Sequence, residues 1–272
     1  INGLGLDVHS VRGKGYKLQD PVLLLDSEKI AAAIPKDRLS KLQELVILDS
    51  IDSTNSYAMR EIQAGHGIPE PGKYLVYLAE QQTRGKGRRG REWVSPFGQN
   101  IYLTMVRNVD SGTMKTEGIS LVVGLALVRA LEALGISSLK VKWPNDVLFD
   151  NMKLGGVLLE ITGDIGGVCQ LIIGVGINIR CQPEQMQNVS QPWTDLNRVT
   201  GNNTDRNLLA GYAVLNIMQA LSEFETHGLQ GFLDEWQQYD AILDKEVELI
   251  FGGSSRFGKA RGISKSGALL LE

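Results

Sequence analysis

The chain has 272 residues, with 28 Lys and Arg against 31 Asp and Glu, a net charge of −3 and 43% apolar residues. That length suffices for one large globular core plus a smaller unit, the charge argues against a surface built wholly for nucleic acid, and no apolar run is long enough to span a membrane. Cys169 and Cys181 lack C-x-x-C spacing and His9, His66 and His227 are scattered, which argues against a zinc site or a disulfide framework.

Leu4 to Leu18 alternates apolar and polar residues about Gly13-Lys14-Gly15 and predicts a β-hairpin. Asp20-Pro21 marks a linker, and Asp26 or Ser27 caps a short helix running to Ile34. Leu45 to Leu48 reads as a strand that ends in Ile51-Asp52-Ser53-Thr54-Asn55, and a helix follows to Ala64. Ser53, Thr54 and Asn55 therefore lie around a helix amino terminus, where residues of these types act as caps.

Tyr74 to Glu80 predicts a buried strand leading into a basic stretch. Between Arg84 and Arg91, Arg84, Lys86, Arg88, Arg89 and Arg91 alternate with Gly85, Gly87 and Gly90, with no apolar side chain among them. Such glycines let backbone N–H groups converge on an anion, and arginine suits bidentate phosphate contact. Gly85 to Gly90 spells G-x-G-x-x-G, but the dinucleotide motif requires a long helix directly after it. Pro96 and Gly98 prevent one, and Ile101 to Arg107 reads as a strand. A solvated basic loop, a nucleic-acid contact and an anion site all fit the charge pattern. With no apolar anchor, the loop is expected to be mobile until a ligand orders it.

Glu117 to Leu134 is a mostly apolar core helix stopping at Gly135. Leu139 to Phe149 is a strand interrupted at Trp143-Pro144, because proline has no N–H for a ladder and restricts its predecessor. Asn145 and Asp146 are left at the break, and Lys153-Leu154-Gly155-Gly156 follows. Val157 to Thr162 and Val168 to Asn178 are strands joined by a Gly-rich turn, and the second ends in Gly174-Val175-Gly176-Ile177-Asn178, where glycines permit close approach of a ligand. Gln182 to Asn203 reads as an exposed polar loop containing Trp193, Thr204 caps a long helix to Glu225, and a second helix runs from Leu229 to Gln238. From Val247 the chain alternates as a small β-domain to Leu271.

The run containing Gln82, the cationic loop, Trp93, Ser95-Pro96 and Gly98 closely resembles the biotin-binding loop of biotin–protein ligases. Ser53-Thr54-Asn55, Lys142-Trp143-Pro144-Asn145-Asp146, Lys153-Leu154-Gly155-Gly156 and Gly174 to Asn178 match further family motifs in family order. The resemblance implies an α/β fold with a mixed, largely antiparallel sheet flanked by helices, similar to class II aminoacyl-tRNA synthetase catalytic domains, plus a small C-terminal SH3-like β-barrel. It divides the chain into the wing of a winged helix-turn-helix with a linker at 1–20, a catalytic domain at 21–240 and an incomplete β-domain at 241–272. The hairpin is equally an ordinary amino-terminal hairpin. Both ends are expected to lack pieces that relatives carry.

The implied reaction joins biotin to ATP as biotinyl-adenylate and passes biotin to a lysine of a biotin carboxyl carrier protein. Ser53, Thr54, Asn55, Gln82, Lys86, Gly87, Arg88 and Lys153 are the implied biotin contacts, and Thr54 with Asn55 supplies donors and acceptors suited to a neutral urea. Arg88, Arg91, Trp93, Asn145, Asn178 and Trp193 are the implied nucleotide contacts. Lys153, Arg88, Arg91 and Asp146 are the implied catalytic set, with Asp146 holding Mg²⁺. A homodimer, a cytoplasmic location and, for a longer chain carrying the reading helices, operator DNA complete the expectation. Arg84 and Lys86 depart from the commonest family residues. A lipoate or octanoate ligase is the rival enzyme, although those lack the Arg-rich loop and the Trp-Pro-Asn-Asp run. A biotin-sensing repressor is the rival of another class.

Overall fold

The computed structural model describes residues 8–11, 13, 15–18, 22–110, 117–163, 167–251 and 253–272. The predicted hairpin is present as β1 (Val8–Val11) and β2 (Gly15–Leu18), antiparallel with Val8 opposite Leu18. Its expected start at Leu4 lies outside the described residues. Helix α1 (Ser27–Ala32) is capped by Asp26, whose carboxylate accepts from the Glu28 and Lys29 amides, and a short α2 (Lys36–Leu39) that the sequence reading did not anticipate follows.

Seven strands form the main sheet: β3 (Leu42–Leu48), β4 (Tyr74–Ala79), β5 (Ile101–Asp110), β6 (Leu139–Lys142), β7 (Asp146–Phe149), β8 (Met152–Gly163) and β9 (Val168–Ile177). Their order is β3-β4-β5-β9-β8-β7-β6, with β3 and β4 parallel and every other neighbouring pair antiparallel. The Trp143-Pro144 bond, which is cis, separates β6 from β7, and the break itself is where the proline predicted it.

The two faces of the sheet differ. Helix α3 (Thr54–Gln63) packs Ala58 and Ile62 against Leu75, Tyr77, Val106 and Ile172 on one face. The opposite face carries Val76, Leu78, Leu103, Met105, Leu171 and Ile173 into the main core. That core is completed by α4 (Ile119–Glu132), which is apolar nearly all round as a helix buried on every side must be, and by the long α6 (Arg206–His227). Between β9 and α6 lies α5 (Leu196–Thr200).

Asp205, not Thr204, caps α6, because its carboxylate reaches the Asn207 and Leu208 amides. Its C-terminal neighbour is a 3₁₀ turn over Leu229–Phe232 leading to α7 (Leu233–Tyr239). The remaining strands, β10 (Glu246–Phe251), β11 (Ser254–Ile263) and β12 (Leu269–Leu271), form a three-stranded antiparallel sheet. The Trp143 indole donates to the Gly267 carbonyl at 2.9 Å and so ties this sheet to the β6–β7 strand break.

Candidate functional site

A cavity of about 910 Å³, counting solvent at its mouth, lies over the carboxyl-terminal part of β9 on the α3 face. It is lined by Ser53, Thr54, Asn55, Gln82, Lys86, Gly87, Arg88, Arg91, Trp93, Asn145, Lys153, Asn178 and Trp193 among others. Every residue expected from the sequence is therefore brought to one place except Asp146, which stands behind Lys153 with its Oδ1 2.9 Å from the Lys153 Nζ.

The wall begins at the amino terminus of α3. Ser53 occupies the cap position but makes no capping hydrogen bond. The helix is capped from outside instead: Gln82 Oε1 accepts from the Thr54 amide at 2.9 Å and lies 3.1 Å from the Thr54 hydroxyl. Gln82 Nε2 donates to Ser95 Oγ, whose hydroxyl donates to the Trp93 carbonyl. Capping thus accounts for less of this tripeptide than its position suggested. Thr104 joins the wall from β5, with its hydroxyl 2.8 Å from Thr54 Oγ1 and 2.6 Å from Asn55 Oδ1. The sequence reading missed Thr104, although a lone threonine in an apolar strand was the available signal.

The floor is glycine. A Cβ on Gly174 would lie 2.4 Å from Asn55 Oδ1, and one on Gly176 would lie 2.4 Å from the Trp93 ring. Only a hydrogen leaves room for either side chain at those positions. The indole Nε1 of Trp93 is buried without a hydrogen-bond partner, so it is a donor left over at the floor of the cavity.

The cationic stretch takes a defined backbone shape without an apolar anchor. The Gly87 amide donates to the Arg91 carbonyl, Lys86 bridges Glu92, and Arg88–Gly90 makes one 3₁₀ turn with Arg89 in the left-handed region at φ 58. Backbone bonds supply the order that apolar contacts could not. Arg88 Nη1 donates to Asn145 Oδ1 at 3.2 Å, and Asn145 Nδ2 is itself held by the Val157 carbonyl at 2.7 Å. Burial, and next the neighbouring Arg89, lower the Arg88 pKa from its ordinary value, and a guanidinium remains a cation there.

The loop's feet are fixed below by one buried guanidinium. Arg206, 3% exposed, pairs with Glu80 at 2.7 Å and donates twice to the Asn100 carbonyl and once to the Leu23 carbonyl. Glu80 Oε1 accepts from the Leu25 amide, and Asn100 Oδ1 from the Ile179 and Arg180 amides. Neither Arg206 nor Glu80 stood out in the sequence, because an ion pair 126 residues apart has no local pattern.

Opposite the loop, the 182–203 segment is less exposed than expected. The Lys153 amide donates to Pro192 and the Thr194 amide to Lys153, so Trp193 pairs with the start of β8. Arg198 stacks 4.4 Å over the Trp193 ring, leaving the aromatic beside the cavity. Asn178 lines the cavity, yet its Nδ2 donates to the Thr194 carbonyl at 3.1 Å, so the amide braces this segment. Lys153 Nζ lies 5.2 Å over the Trp93 ring as well as beside Asp146. Cys169 and Cys181 are both buried, and burial pushes the Cys181 thiol up to about 12.

Residues 47–178 match the biotin/lipoate A/B protein ligase family. The chain is 40% identical to the bifunctional ligase/repressor BirA of Salmonella typhimurium over 98% of its own length and 80% of that protein's. It is 31% identical to the biotin--[acetyl-CoA-carboxylase] ligase of Paracoccus denitrificans over 83% of this chain and 92% of the relative. Among solved structures it resembles the biotin protein ligase of Aquifex aeolicus in complex with biotin and ATP, with a TM-score of 0.70, 29% identity and coverage of 84% and 91%. By fold, site and similarity along nearly its whole length, the chain belongs to the biotin protein ligase family.

Proposed function

We propose that this chain is an ATP-dependent cytoplasmic ligase that converts biotin to biotinyl-adenylate and transfers biotin to a lysine of a carboxyl carrier protein. The observation that carries this reading is the adjacency, in one cavity, of a neutral hydrogen-bonding wall at Ser53, Thr54 and Asn55 and a cationic end at Arg88 and Lys153. A urea ring suits the first and a carboxylate activated on phosphate suits the second.

In the first step a biotin carboxylate oxygen attacks the α-phosphorus of ATP and pyrophosphate leaves with the electron pair of the broken P–O bond. In the second, the carrier lysine's amine attacks the acyl carbon, loses a proton, and AMP leaves. Both steps develop negative charge on phosphate oxygens, so cations set in place beforehand lower the barrier. Lys153 serves this end, and its contacts with Asp146 and the Trp93 ring face support the assignment. Arg88 is oriented from the other side by Asn145, Arg91 adds charge at the rim, and Trp193 offers a ring for the adenine.

Among the described residues no cluster of three or more metal-binding side chains exists. A lone carboxylate still fits Mg²⁺, which is usually held by one or two carboxylates, waters and the substrate phosphates. Asp146 would hold it, and the ion when bound neutralises phosphate charge.

The test is incubation of the chain with biotin, ATP, Mg²⁺ and a carrier domain, followed by an avidin blot. A carrier that stays unlabelled overturns the reading. The β1–β2 hairpin and the name of the Salmonella relative support a second role, biotin-responsive repression by a homodimer of a longer form. A gel shift comparing this chain with one extended at its amino terminus, alongside sedimentation, tests that role.

A further inference from the structure

Behind Asn55 stands a side chain that neither lines the cavity nor belongs to any motif. Glu160 on β8 accepts from Asn55 Nδ2 at 2.8 Å, and the Leu158 carbonyl is 3.5 Å from the same nitrogen. A carboxylate and a carbonyl have no proton to give, so the amide is held with its NH₂ toward β8 and its Oδ1 toward Thr104. Turned over, the amide oxygen would face two acceptors.

The consequence passes along the wall. Asn55 Oδ1 and Thr104 Oγ1 are 2.6 Å apart, and two bare oxygens at that distance repel, so the single Thr104 proton goes to Asn55. The same repulsion, at 2.8 Å, makes Thr54 give its own proton to Thr104 Oγ1. Thr54 Oγ1 is then left offering lone pairs, and so is Asn55 Oδ1, to which the hydrogen of Gly174 leaves room.

We infer that Glu160 is a positioning residue that sets the polarity of this chain, so that Thr54 and Asn55 present acceptors and select a ring carrying N–H donors. This rests on the biotin reading above and assigns the ureido N–H groups as the selected feature. Glu160 acts through Asn55 and touches no substrate.

The test is calorimetric Kd for biotin on the full chain and on Glu160→Gln and Glu160→Met. Gln keeps an acceptor within reach of Asn55, and Met keeps the length while removing it. Glu160→Met is expected to weaken biotin about tenfold while Glu160→Gln stays within about threefold, with ATP affinity unchanged in both. Biotin methylated on its ring nitrogens, already weak on the wild type, is expected to lose nothing further in Glu160→Met. Equal losses for the two ligands, equal losses in Gln and Met, or no loss in Met would overturn the assignment. If Glu160→Met does not fold, Asn55→Asp compared with Asn55→Asp/Glu160→Gln decides. The single change sets two carboxylates face to face, and the pair restores a donor to Asp, so at least about tenfold recovery is expected. No recovery overturns the inference, whereas a wild type that binds no biotin overturns the ligase reading with it.

Discussion

On the wall of the cavity Ser53, Thr54 and Asn55 are 2–4% exposed, and Thr54 and Asn55 are tied to Gln82, Thr104 and Glu160. On the loop above, Lys86, Arg89 and Arg91 are exposed, and among the described residues Arg88 reaches one side-chain acceptor, Asn145. The wall thus has its protons assigned before anything binds, as recognition of a neutral ring requires, because an unpaired buried polar atom costs affinity. The loop keeps its charges largely uncommitted, so they stay available to a phosphate.

The comparison breaks most plainly at Lys153, which lines the same cavity beside Asp146 and the Trp93 ring. Lys153→Ala is expected to slow adenylate formation by about a hundredfold or more while weakening biotin binding by less than about tenfold. Single-turnover kinetics with calorimetry check this, and equal losses in rate and affinity would place Lys153 on the wall side. On the wall itself, Thr54→Val/Asn55→Ala is expected to weaken biotin by a few kcal/mol at unchanged ATP affinity, since ligand polar groups lose their partners. Unchanged biotin affinity with a lowered Tm would restore the capping role.

On the loop, Arg88→Gly is expected to slow adenylate synthesis less than Lys153→Ala does and to release the intermediate about tenfold faster, labelling bystander lysines, because the contact to Asn145 is lost. Filter retention of radiolabelled adenylate measures it. Wild-type retention with slow synthesis would move Arg88 from closure to chemistry.

The smallest effect lies just before the wall. The Arg60 hydrogen bonds lower the Asp52 carboxyl from 3.8 to about 2. A depressed folded-state pKa means the pair's contribution is complete above the unfolded value of 3.8 and is lost as pH falls from about 4 toward 2. Both side chains are substantially exposed, so screening limits the gain to about 0.5–1 kcal/mol. Asp52→Asn is therefore expected to lower urea stability by that amount at pH 6 and by only a small fraction of it at pH 2. An equal loss at both values would show that the carboxylate's charge is not the cause.

The sequence disclosed the parts of the molecule that have local signatures. Alternation and proline placed the sheet strands and the break at Trp143-Pro144, and the motifs placed all but one of the lining residues considered. It did not disclose Thr104, Glu160 or Arg206, whose partners are 50, 105 and 126 residues away. Such contacts exist only once strands pair in register. The loop's shape was hidden for a related reason: composition reports the lack of an apolar anchor, but not the backbone bond from Gly87 to Arg91.

Arg206 carries a consequence for the order in which the molecule is made. It joins Leu23, Glu80 and Asn100 through one guanidinium, yet it follows all three in the chain by more than a hundred residues. A nascent chain that has emerged only through β9 already holds Ser53, the cationic stretch and Lys153, but the buried Glu80 carboxylate has no counter-charge. A buried charge without its partner is costly, of the order of 3–5 kcal/mol, so the frame under the loop stays open until α6 has been synthesised and docked. Translation past this point, rather than assembly of the motifs themselves, is what completes the site.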